Sequence, residues 1–392
     1  MPDYKIHGDN IVECERTLDL IAQALCVPET EQSLPEGSPL TPTFTITTPL
    51  SPSPFRFTFL PGYGRWDKDI LEIIRQRGGC LREATDAIIC KVHGDQEVPV
   101  LALEYCGALP AGNQAWQRNG RALSFAHASL PYMYIAELSG YELDAQRRRR
   151  APRMPNPAVP FSYLLLTHLT KSPTLPVFVP SPGASEDAIR EHTQFYGIQD
   201  LIEILRGMLL EKLPEGAIEK LETKVLALVQ KLSDSRRRRD TISSESWAEA
   251  FTAIKEGQSL ASFLLASGPM PWSKTAYISD LTETASTMMS LTANFAQGLT
   301  STSLPLCLVA EENRKGYLEA LHDLYPSASA SFLGWCGRPG HLAVCWVMGF
   351  KPRGTIGNQR YDWEPEVAVT IVLVPNLRIG NEMSLQPGRI AC

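Results

Sequence analysis

Apolar residues at positions 11, 14, 18, 21, 22 and 25 recur with the helical period and predict one amphipathic helix over Ile11–Leu25, with Asp9 or Asn10 as its cap. Alternation then takes over. Thr43–Thr47 and Phe55–Phe59 each place every second residue in an apolar row, which predicts a hairpin joined by the loop Pro49–Pro54. Asp69–Arg77 reads as a helix ended by Gly78 and Gly79, and the short apolar runs Ala84–Lys91 and Val98–Cys106 read as neighbouring strands. A turn over Gly107–Gly112 leads into a helix over Asn113–Ala126, and Tyr132–Leu138 is a third strand. From Ser185 to about Ser267 the pattern is helical, with Ile198–Leu205 and Ala217–Val229 separated by Pro214 and Gly216; residues 302–375 alternate strands with one helix near Asn313–Leu324.

This order predicts an α/β (α+β mixed) chain in three parts: a core over 1–184, a helical segment over 185–240 and a C-terminal α/β region over 241–392. At 392 residues the chain has room for two domains, or for one large domain with an insertion.

The two neighbouring strands each carry one acid, Asp86 and Glu104. A carboxylate among Ile and Leu is costly unless paired or metal-bound, and Mg²⁺ takes one or two carboxylates and fills its other positions with water and phosphate. Two acids in strands are also common without a metal. On the following helix Gln117 and Arg121 share a face, as do Gln114 and Arg118. One such face could meet a scissile phosphate; the other reading packs Trp116 in the core and leaves the polar residues to water.

The order helix, strands, acidic strand, acidic strand, helix, strand, with a further acid on the first helix, resembles the PD-(D/E)xK restriction-endonuclease-like superfamily over roughly residues 5 to 170. The resemblance implies a restriction-endonuclease-like core, a central mixed sheet flanked by helices, and Mg²⁺-dependent hydrolysis of a nucleic-acid phosphodiester. Asp86 matches the motif aspartate, Glu104 the acid of (D/E)xK, and Glu15 or Glu13 the helix glutamate that some members add. Cys106 stands where the lysine belongs, so Lys91 or Gln117 is the candidate to replace it. The segments Ile6–Arg16, Met154–Tyr163 and Gly349–Gly354 also look like bacterial restriction-type proteins, although Thr355–Asp362 departs from the acidic, Arg-rich run expected next.

Net charge is −6, yet arginines are concentrated in two runs, Arg147, Arg148, Arg149 and Arg150 with Arg153 beyond, and Arg236–Arg239. Arginine binds phosphate bidentately, so the first run suits a DNA backbone clamp; a solvated loop is the alternative. The nine cysteines contain no CxxC pair, and Cys14, Cys26, Cys90 and Cys345 read as small core residues. The seven histidines show no metal spacing, and His7 and His93 precede Gly8-Asp9 and Gly94-Asp95, which read as turns. With no apolar run of about 18 residues and no signal-peptide pattern at the start, a cytoplasmic protein with no membrane contact is expected. The expected activity is that of a type II restriction or phage-defence endodeoxyribonuclease acting on double-stranded DNA as a homodimer. The alternative is a binding protein on the same fold that no longer cleaves.

Overall fold

The computed structural model describes residues 1–27, 35–79, 84–107, 118, 121–122, 124–140, 146, 154–155, 157–211, 216–235, 244–257, 291, 294–300, 305–353 and 362–374. Its centre is an eight-stranded mixed sheet in the order β2-β3-β4-β1-β5-β6-β7-β8. The strands are β1 (Asp3–Gly8), β2 (Glu36–Ser38), β3 (Thr41–Ile46), β4 (Phe55–Pro61), β5 (Ala87–His93), β6 (Gln96–Cys106), β7 (Tyr132–Leu138) and β8 (Thr174–Pro180). β4 and β1 run parallel, β1, β5 and β6 alternate in direction, and β6, β7 and β8 are parallel again. The fold is thus mixed α/β, as the periodicity predicts.

The first helix, α1 (Ile11–Ala24), begins at Asn10, whose side chain accepts from the backbone N–H of Val12 at 2.9 Å and of Glu13 at 3.2 Å. It satisfies two of the helix's otherwise orphaned donors. Leu18, Ile21 and Leu25 are buried as expected, while Ile11 stays exposed at the helix start. Each fully buried large apolar side chain contributes about 1.5–3 kcal/mol, so this stripe holds α1 against the sheet. Of the turn expected at Gly8-Asp9, Gly8 ends β1, a central strand, and Asp9 lies in the bend into α1, while Gly94-Asp95 is the turn between β5 and β6. A Cβ on Gly8 would lie 2.5 Å from Cys14 Sγ and 2.9 Å from the Asn10 carbonyl oxygen, so only glycine lets the strand step straight into the helix.

Asp69 caps α2 (Ile70–Gln76) by accepting from the Glu72 N–H at 3.0 Å. Helical residues 118, 121–122 and 124–127 connect β6 to β7, and α3 (Ala158–Thr170) connects β7 to β8. Then come α4 (Glu186–His192), α5 (Ile198–Leu209), α6 (Ala217–Asp234) and α7 (Ser244–Lys255). α5 packs on α1, and α6 packs on α3 and β8. The C-terminal part is an antiparallel four-stranded sheet, β12-β11-β10-β9, from Ala296–Thr300, Pro305–Val309, His341–Arg353 and Asp362–Val374, with α8 (Glu311–Leu324) and a short α9 (Pro326–Ser329) between β10 and β11. Among the described residues no helix is long and apolar enough to cross a membrane.

Tyr105 and Glu104 show which helix covers which side. The Tyr105 hydroxyl meets Thr17 Oγ1 of α1 at 3.0 Å, whereas Glu104 is held by Arg118 and Arg121 of the following helix. Successive strand residues point to opposite faces. α1 and the arginine-bearing helix therefore cover opposite faces of the sheet.

Candidate functional site

The hairpin β5–β6 brings the two strand acids together. Its register pairs Ala87 with Leu103, so Asp86, one residue before β5, stands opposite Glu104. Residues so placed lie about 4.5–5.5 Å apart at Cα. The Tyr105 N–H donates to Asp86 Oδ2 at 2.6 Å, and the Asp9 N–H donates to the Asp86 carbonyl oxygen at 2.9 Å. Asp86 is thus fixed at one end of the sheet, between the end of β1 and the acidic part of β6.

Glu104 is 1% exposed. Its Oε1 accepts from Arg118 Nε at 2.9 Å and from Arg121 Nη1 at 3.0 Å, two side chains one helical turn apart. Its Oε2 is buried and has no hydrogen-bond partner among the described residues. Burial and the neighbouring Asp86 carboxylate push Glu104 up to about 7, against the pull of Arg121 and Arg118. Asp86 is raised as well, chiefly by burial, with the Tyr105 N–H and both arginines opposing. Around Glu104 the rings of Tyr132, Tyr134 and Tyr163 stack, Tyr134 on Tyr163 at 5.5 Å, and the Arg118 guanidinium lies 5.9 Å from the Tyr134 ring centroid. Among the described residues the phenol oxygens of Tyr132 and Tyr163 are also buried without hydrogen-bond partners.

Of the two glutamates at the start of α1, it is Glu13 that lies toward Asp86, and not the expected Glu15. Glu13 is half-buried, and after burial itself the Asp86 carboxylate is the main influence raising its pKa, with Arg16 opposing. Glu15 is exposed to solvent. Asp86 is therefore sensed from both faces, by Glu13 on one and by Arg118 and Arg121 on the other. Lys91 does not take the place of the motif lysine. It lies five residues, about 16 Å, along β5 from Asp86 and on the other face, and its Nζ pairs with Glu211. Cys106 is buried on the same strand face as Glu104. Gln117, Arg147, Arg148, Arg149, Arg150 and Arg153 lie outside the described residues, as does Arg236–Arg239.

Among the described residues, Asp86 and Glu104 do not gather a third ligand-type side chain closely enough to form a three-membered cluster; His7, Cys90 and Glu97 do, with all donor atoms within 4.8 Å of one another. Sequence reasoning missed this second group, because the register of β1, β5 and β6 alone joins it. For a hard cation at the first group, the unpartnered Glu104 Oε2 beside Asp86 supplies suitable oxygen chemistry, and Mg²⁺ needs no more than one or two carboxylates. The residues present fit such an ion. No protein-family model, curated protein or solved structure matches this chain.

Proposed function

We propose that this chain is a divalent-metal-dependent endonuclease that hydrolyses DNA phosphodiester bonds, of restriction or phage-defence type, acting as a homodimer on duplex DNA. One observation carries the reading: Glu104, buried at the end of a central strand and opposite Asp86, keeps an oxygen that no described residue satisfies. An unsatisfied buried acceptor costs about 1–3 kcal/mol, more when charged, so its retention asks for a ligand. The succession β5, β6, helix, β7, with the acids on an antiparallel pair and a parallel strand after the helix, supports a restriction-endonuclease-like core.

Asp86 and Glu104 Oε2 would hold Mg²⁺, which when bound supplies a water of lowered pKa and positive charge for the phosphate. The remaining roles belong to the chain. The Tyr105 N–H orients Asp86, and the arginine pair orients Glu104 and offers guanidinium donors to a phosphate at the same place. Glu104 holds a proton below about pH 7 and must release it before it can ligate a cation. Arg147–Arg150 and Arg153 are assigned to the DNA backbone.

A second reading, a nucleic-acid-binding protein without cleavage, is favoured by Cys106 at the lysine position and by the commitment of Glu104 Oε1 to two arginines. Incubation of plasmid and genomic DNA with Mg²⁺ or with EDTA, followed by sequencing of the ends, separates them. Cleavage that requires the cation supports the nuclease. DNA affinity without products supports the binder, and absence of both removes nucleic acid as the partner.

A further inference from the structure

The other end of the β5–β6 hairpin holds a second polar group, distant in sequence and close in space. His7 sits on β1, Cys90 on β5 and Glu97 on β6, and all three are buried, at 0%, 0% and 5% exposure. Cys90 lies directly across from Lys5, two residues before His7, and Glu97 lies across from Val92. His7 Nε2 meets Glu97 Oε2 at 2.7 Å, and Lys5 Nζ donates to Glu97 Oε1 at 2.6 Å and to Asp67 at 2.5 Å. His7 Nδ1 is buried without a hydrogen-bond partner among the described residues. The Trp66 ring closes the group edge-on to His7, with centroids 5.0 Å apart.

We infer that His7, Cys90 and Glu97 form a binding site for a borderline-soft divalent cation, Zn²⁺ first among them. Imidazole, thiolate and carboxylate are the donor types such ions take, and a site with three protein ligands leaves the fourth tetrahedral position to water. The donors stand on three hydrogen-bonded strands, so most of their ordering is done by the sheet itself. Charge also balances. Lys5 and the ion bring three positive charges, and Glu97, Asp67 and a Cys90 thiolate bring three negative ones. On binding, the thiol gives its proton to solvent and sulfur donates its electron pair to the ion, with no change of oxidation state. Burial strongly favours the neutral thiol when no cation is near, so uptake strengthens with pH. Since none of the ligands reaches the surface, the ion enters as the chain folds. Mg²⁺, which prefers oxygen, is not the occupant, and the inference stands independently of the nuclease reading.

The test uses the full chain produced in cells supplied with Co²⁺ or Zn²⁺, with metal content and absorption spectrum measured after purification. The expected result is about one ion per chain and, in the cobalt form, a near-ultraviolet thiolate-to-metal charge-transfer band. Both should vanish in Cys90→Ala, which leaves the bonds among Lys5, His7 and Glu97 in place and so retains what braces the three strands. If that variant does not fold, X-ray absorption of the wild-type cobalt form decides: a single sulfur with nitrogen and oxygen neighbours supports the site, and two or more sulfurs overturn it. A wild-type chain with less than about a tenth of an ion, or a folded Cys90→Ala chain that keeps the band, also overturns it.

Discussion

The backbone N–H of Tyr105 donates to the Asp86 carboxylate at 2.6 Å, tying the acid before one strand to the residue that follows the acid of the next. Burial, and after it the negative charge that this bond holds alongside, pushes Glu104 up to about 7 from an ordinary 4.5. Because the folded chain binds that proton more tightly than the unfolded chain, the contribution is fully present below about pH 4.5 and is lost as pH rises to about 7. A tenfold difference in proton affinity between the two states corresponds to about 1.4 kcal/mol. Urea unfolding of wild type and Glu104→Gln across this window should show the wild-type stability falling relative to the variant. Parallel curves would mean that Glu104 is ionised like a surface acid.

Arg118 holds Glu104 Oε1 and also covers the Tyr134 ring. Arg118→Met removes both contacts while keeping the length of the side chain. The expected cost is about 1–3 kcal/mol at pH 8, smaller near pH 5, where Glu104 carries its own proton. Equal losses at the two pH values would indicate that packing, and not charge, is what Arg118 supplies.

The step from β1 into α1 depends on Gly8, where a Cβ would meet the Asn10 carbonyl oxygen at 2.9 Å as well as the Cys14 sulfur. The backbone atom has little room to retreat. Gly8→Ala is expected to cost about 1–3 kcal/mol, and because Asp9 hydrogen-bonds Asp86, to weaken divalent-cation affinity too. Denaturation and cation titration of the variant measure the two effects separately.

Local periodicity made α1, the β3–β4 hairpin and the β5–β6 pair legible, because each buries a face whose pattern lies within one short segment. β1 was not legible. Its interior-facing alternation includes Lys5 and His7, whose burial is compensated by Glu97 some 90 residues away. A polar residue with so remote a partner looks like a surface residue. Glu15 was the glutamate expected to face the acids and Glu13 does so instead, since both lie near the helix start and only the docking of α1 over the end of the sheet selects between them. Lys91, an odd number of residues from Asp86 along β5, falls on the other face of the sheet. Cys90 read as a core residue, which its burial supports; that it also faces His7 and Glu97 follows from register alone.

If the run Arg147–Arg150 with Arg153 clamps the DNA backbone, four phosphate contacts give a slope of about −3.6 in log K against log salt. Replacing these arginines with Ala should flatten the slope and weaken binding to all sequences alike, since phosphate contacts carry no sequence information. An unchanged slope assigns the run to a solvated loop.

In the proposed function Asp86 and Glu104 together hold the cation that cleavage requires. Single-turnover cleavage of labelled duplex DNA by wild type, Asp86→Asn and Glu104→Gln, at enzyme concentrations that saturate binding in each case, tests it most directly. Mg²⁺-dependent products are expected from wild type, with a loss of at least about a hundredfold, about 2.7 kcal/mol of barrier, in each variant and DNA affinity retained. Cleavage by either variant at the wild-type rate would contradict it.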